Sequence, residues 1–162
     1  MDKLYENAET GCCPRFNPEP WDEKEIKWKD KLFLHDRVKS FFHIPLNMGK
    51  IMVKNMEIIK SAGALTPEPL LLSDENSLFG ADVYIAVSKE IQGVTMARMS
   101  GTFLTKTFEG SYKNMGQWIK AMKEFVKSKG KEINKLYFFY TTCPHCARYY
   151  GKNYTVLLAK IW

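Results

Sequence analysis

Residues 47 to 63, NMGKIMVKNMEIIKSAG, and residues 114 to 130, NMGQWIKAMKEFVKSKG, begin 67 positions apart and carry the same landmarks in the same places. Both open on Asn-Met-Gly, both hold a central Glu (Glu57 and Glu124), and both close on Lys-Ser followed by a last Gly (Gly63 and Gly130). A chain that repeats itself at such a spacing reads as two copies of one supersecondary unit, neither of which buries its apolar face alone. A ligand-binding hollow is expected where the copies meet.

Each copy contains a helix. In the first, Ile51, Met52, Met56 and Ile59 recur at spacings of three to four, the pattern of a helix with one buried face. Asn47 stands where a cap is needed and Gly63 where the helix must stop. In the second, Met115, Trp118, Ile119, Met122 and Val126 form the apolar stripe, with Ser111 as the expected cap and Gly130 as the stop.

The flanking segments read as strands. Residues 31 to 42 (KLFLHDRVKSFF) precede the first helix, and residues 69 to 73 (PLLLS) and 81 to 88 (ADVYIAVS) follow it as a hairpin around Asp74-Glu75-Asn76. Residues 95 to 108 precede the second helix, and residues 136 to 141 (LYFFYT) and 153 to 160 (NYTVLLAK) follow it. The expected fold is α+β: two pseudo-symmetric βαββ repeats, about 31 to 90 and 94 to 162. They form a mostly antiparallel sheet with both helices on one face and a cleft between the repeats. Residues 31 to 162 make a single domain on this reading. Residues 1 to 30 belong to neither copy. The three prolines of GCCPRFNPEPW obstruct regular structure, so an irregular arm is expected, packed on the body through Phe16, Trp21 and Trp28.

Composition bounds the function. A chain of 162 residues with 45% hydrophobic and 14% aromatic content has material for a real core and is not a disordered segment. Its 24 Lys and Arg against 18 Asp and Glu leave +6, spread along the sequence. Lys113, Lys120, Lys123 and Lys127 describe a solvated helix face, and no basic stripe or groove-reading motif argues for nucleic acid. No apolar run approaches the roughly 20 residues that cross a bilayer. The start, MDKLYENAET, lacks the regions of an export signal, so a cytoplasmic protein with no membrane partner is expected.

The four cysteines fall into two pairs, Cys12-Cys13 in the arm and Cys143-Pro144-His145-Cys146 in the turn of the last hairpin. Three readings compete: a metal site, a redox pair, and reduced thiols. Sixteen residues after Cys146 are too few for a thioredoxin-type remainder, whose first Cys caps a helix. A CPxC turn between strands resembles a zinc knuckle, and Cys12, Cys13, Cys143 and Cys146 are the expected ligands of a structural zinc that staples the arm to the hairpin.

Two βαββ units in tandem, with Gly110-Ser111-Tyr112 at the strand-to-helix junction inside FEGSYKNMGQW (residues 108 to 118), resemble the GyrI-like small-molecule-binding family. The resemblance spans residues 31 to 161. It implies a cleft lined by aromatic and apolar groups that holds flat, often cationic, drug-like molecules. Members of that family include sensor domains of multidrug-responsive activators, gyrase binders and hydrolases of reactive cytotoxins, and fold does not choose among them. The sequence has no recognisable DNA-binding helix pair, so a stand-alone binder or hydrolase of small aromatic or amphipathic molecules is expected. Drug-sensing relatives carry a Glu two residues before a Tyr on the strand corresponding to residues 136 to 141, whereas here Phe138 precedes Tyr140. Without that countercharge, neutral or anionic ligands are favoured. A cation would depend on aromatic faces, at about 0.5 to 2 kcal/mol each, or on an acid such as Glu109 or Asp82.

Tyr84, Met99, Tyr112, Trp118, Tyr137, Phe139 and Tyr154 are the candidate ligand-binding residues, because such side chains combine apolar area with polarisable or polar tips. Alternation puts Tyr137 and Phe139 on one face of their strand and Leu136, Phe138 and Tyr140 on the other, and leaves open which face meets the helix. Glu109, before the Gly-Ser turn, is the candidate catalytic carboxylate that would activate water. His35 and His43 stand beside no nucleophile in sequence, and no Ser or Cys lies in a nucleophile elbow. Two other functions compete with the first: a zinc-stapled module holding an acidic protein or nucleic acid, and a thiol redox protein using CPHC.

Overall fold

The computed structural model describes residues 16–41, 44–67, 70–77, 79–141, 151 and 153–161. Trp28–Ser100 form one compact unit, here the first unit, and the described residues before and after it form the second. The architecture is α+β with two helices, and the strand pairings within each unit are antiparallel.

In chain order the elements are β1 (Lys24–Phe41), β2 (Ile44–Pro45), α1 (Met48–Ser61), β3 (Leu71–Ser77) and β4 (Gly80–Ala86), then β5 (Met96–Glu109), α2 (Met115–Ser128), β6 (Ile133–Tyr140) and β7 (Tyr154–Ile161). Setting aside the two-residue β2, the order is strand, helix, strand, strand, twice. The helix stops repeat as closely as the sequence does. Gly63 and Gly130 take φ +65 and +70, a region glycine enters without steric cost. They let Ala64 N–H return to Ile59 O (3.0 Å) and Lys131 N–H return to Val126 O (3.2 Å), the same bond 67 residues apart.

The helix starts differ from expectation. Asn47 directs its side-chain oxygen to the Lys39 N–H (2.7 Å) and leaves α1 without a side-chain cap. Ser111 Oγ accepts from Lys113 N (3.3 Å), so it serves a short 3-10 turn, Tyr112–Asn114, that precedes α2. The strand β1 begins at Lys24, seven residues earlier than the repeat suggests, because Ile26 and Trp28 already alternate with charged neighbours. Asp74, Glu75 and Asn76, expected as a turn, lie within β3, where the register shifts between Asp74 and Ser77.

Each helix covers one face of its own unit's strands. In the first unit Ile59 packs with Leu34, Ile85 and Val87. In the second, Trp118, Met122 and Val126 pack with Leu104, Phe138, Leu157 and Ala159. Leu136, Phe138 and Tyr140 therefore meet α2, and Tyr137 and Phe139 face away from it. By the same alternation Phe33, His35, Arg37, Asp82 and Tyr84 face away from α1.

Candidate functional site

On the first unit's face away from α1, β1 and β4 pair with His35 opposite Tyr84 and Arg37 opposite Asp82. His35 Nε2 lies 2.9 Å from Asp82 Oδ1, and Arg37 Nη1 lies 3.3 Å from the same oxygen. The Tyr84 ring stacks on the His35 imidazole, with centroids 4.8 Å apart and planes 15° apart. Phe33 meets Tyr84 edge-on at 6.3 Å and Trp28 at 5.8 Å, so an aromatic surface adjoins the charged groups. Asp74 stands opposite Asp82 in the β3–β4 register and is only 5% exposed.

The carboxylate fixes the imidazole chemically. Because Asp82 accepts only, the shared proton belongs on Nε2 and Nδ1 is left as the basic nitrogen. The His35 side chain is about one third exposed (29%), which lets a water or a substrate reach it. A stacked ring and a carboxylate hold its plane, so a base of defined orientation faces an aromatic wall.

On the second unit's face away from α2, the rings of Phe16 and Trp21 cover Phe139 and Tyr154. Phe16 lies 5.9 Å from Phe139 and 5.7 Å from Tyr154, and Trp21 meets Phe139 edge-on at 5.6 Å. Tyr137, beside Phe103 at 6.3 Å, belongs to the same face. Thr105 Oγ1 donates to Trp21 O (2.6 Å), and Asp22 Oδ1 accepts from Thr107 N (3.2 Å).

The candidate ligand-binding residues thus divide between the units. Tyr84 and the buried Met99 lie in the first. Tyr137, Phe139 and Tyr154 share one face of the second, while Trp118 is in the core under α2, stacked on Phe108 at 5.6 Å. Tyr112 opens the 3-10 turn, and its side chain is outside the described residues. Glu109 is exposed at the end of β5, opposite Tyr154 in register. The pairing of His35 with Asp82 was not legible in sequence: the partners are 47 residues apart, and only the β1–β4 register joins them.

The expected structural zinc is corrected. Among the described residues no group of three or more His, Cys, Asp or Glu side chains can hold a metal ion. Among the described residues the carboxylates of Asp36, Glu90 and Glu23 are held by Lys54, Arg98 and Lys106. The described part of the arm is held by hydrogen bonds and ring contacts instead. Cys12, Cys13, Cys143 and Cys146, and with them the CPHC redox reading and His43, lie outside the described residues. Among the described residues no helix is long and apolar enough to cross a membrane.

Paired βαββ repeats with aromatic faces turned from their helices make the α+β fold that the GyrI-like resemblance implies, and solved structures show the same fold. The C-terminal domain of EcmrR superposes with a TM-score of 0.66 at 11% identity, covering 88% of this chain and 98% of that one. A hydrolase from Listeria innocua gives 0.63 at 11% identity (88% and 92%), and the hydrolase encoded by lin2189 from Listeria innocua gives 0.62 at 14% (88% and 93%). No curated protein matches the chain in sequence. The family model described as bacterial hydrolase matches residues 3–161, and the chain belongs to that family.

Proposed function

We propose that the protein binds small aromatic or amphipathic molecules and hydrolyses them, with His35 as the base and Asp82 as the group that orients it. The observation that carries the reading is the 2.9 Å bond between His35 Nε2 and Asp82 Oδ1 beneath an aromatic surface of Tyr84 and Phe33. Among the described residues nothing hydrogen-bonds Nδ1. In the proposed reaction Nδ1 takes a proton from water as the oxygen attacks an acyl carbon. The imidazolium then returns that proton to the departing oxygen, and Asp82 stabilises the transient charge. Among the described residues the exposed Glu109 has no orienting partner of this kind, so the dyad is the better supported base.

Membership of the bacterial hydrolase family supports the reaction class. Asp82 is already met by His35 and Arg37, which favours neutral over cationic substrates. Tyr84 is the proposed ligand-binding residue beside the dyad in the first unit, and Tyr137, Phe139 and Tyr154 are the proposed ligand-binding residues of the second unit's own face. The test is a panel of p-nitrophenyl and 4-methylumbelliferyl esters, assayed with wild type and His35→Gln. Turnover above background that His35→Gln lowers at least 100-fold, with the fold intact by circular dichroism, supports the reading; equal turnover in both proteins overturns it.

A further inference from the structure

The second unit's open face is occupied by the chain itself, and what occupies it describes a ligand. Phe16 and Trp21 remain half-exposed, whereas Phe139 beneath them is 3% exposed, so the arm covers a surface that would otherwise face water. Among the described residues the cover is a 3-10 turn, Glu19–Trp21, held by ring contacts, two hydrogen bonds from β5 and an ion pair, Lys106 to Glu23 (3.2 Å). Glu23, where the arm enters β1, sits at φ +51, a left-handed conformation that is strained for a residue with a side chain. The cover is also incomplete. Thr105 Oγ1 donates to the Trp21 carbonyl, yet Thr107 Oγ1 on the same face is buried with no partner among the described residues. A buried hydroxyl without a partner is costly, and a ligand bringing an acceptor would remove that cost.

We propose that this face is a binding site for neutral planar aromatic molecules bearing a carbonyl or similar acceptor, and that residues 16 to 23 are a displaceable occupant that competes with them. The rings of Phe16 and Trp21 stand where the ligand's ring goes, and the ligand's acceptor replaces the Trp21 carbonyl at Thr105 Oγ1 or meets the open Thr107 Oγ1. The inference rests on the proposed aromatic ligand class and adds the competition. It does not depend on hydrolysis at His35.

The test uses Nile red, a neutral planar dye with a carbonyl oxygen, on the full chain. The double variant Phe16→Ala, Trp21→Ala should bind the dye at least tenfold more tightly than wild type, and adding Phe139→Ala should abolish the gain. Equal affinity in wild type and double variant, with Phe139→Ala weakening both, would reject the competition and leave the aromatic site standing. Weaker binding by the double variant would make the arm a wall of the site and also reject it. No binding to either protein would remove the aromatic site together with the competition. Amide exchange in wild type needs no variant: saturating Nile red should speed exchange at Asp22 and Thr107, and slowed or unchanged exchange at both overturns displacement.

Discussion

Asn55 and Met122 stand at the same position of the two repeats, the eighth residue of α1 and of α2, yet one is the centre of a polar network and the other is pure core. Asn55 is 2% exposed and donates to Asp36 Oδ2 and to Ile51 O, both at 2.9 Å. Met122 has no exposed surface and packs between Trp118 and the strands of the second unit. The two units share an order of elements and differ in their cores.

Burial by itself raises the Asp36 carboxyl, but hydrogen bonds from Asn55, the Arg37 amide and the Lys54 ammonium outweigh it and hold the group below the usual range. A depressed carboxyl contributes stability that is complete above the unfolded value of about 3.9 and is lost as pH falls through the folded one. In urea titrations between neutral pH and pH 2.5, wild type should lose more stability on the acid side than Asp36→Asn. Parallel acid limbs for the two proteins would contradict this.

Met122→Ala removes a fully buried side chain from the α2 core. It should cost about 2 to 5 kcal/mol, read from the urea midpoint, because the surrounding rings cannot collapse into the space. A loss under about 1 kcal/mol would mean that the second unit packs differently.

Asp82→Asn keeps the shape of the His35 partner and removes its charge, so the proton is no longer held on Nε2 and the imidazolium is no longer stabilised. The kcat for ester turnover should fall about 100-fold or more while KM moves little. A rise in KM with kcat unchanged would assign Asp82 to binding instead.

A Cβ added at Gly80 would lie 2.7 Å from Arg37 Nη2, so Gly80→Ala must displace the guanidinium that stands 3.3 Å from Asp82. The clash is with the far end of a flexible side chain, so the fold should hold. Turnover in Gly80→Ala should match that of Arg37→Ala, and the double variant should be no worse than either single one. Additive losses would show that the two residues act separately.

Much of the fold was legible because its signals are local. Apolar spacing in α1 and α2 and the stops at Gly63 and Gly130 depend on neighbours within a turn or two, and the structure carries them with the same bonds. The caps were misread because Asn47 and Ser111 had other backbone groups within reach, one of them on β1. The hairpin turn was misplaced because Asp74 to Asn76 are absorbed as an irregular stretch of β3. Of the site, the aromatic members Tyr84, Tyr137, Phe139 and Tyr154 were legible as residue types, while the dyad was not.

The amino-acid sequence alone determined two helices, their glycine stops and a strand, helix, strand, strand order used twice, since periodicity and glycine stops act over a few residues. Tertiary structure decided which side of each strand meets a helix, because a period of two reads the same from either face. It also decided that His35 meets Asp82 and that Phe16 and Trp21 cover Phe139. Those neighbours are set by strand register and by the path of the arm, and both come from contacts between residues far apart in the chain.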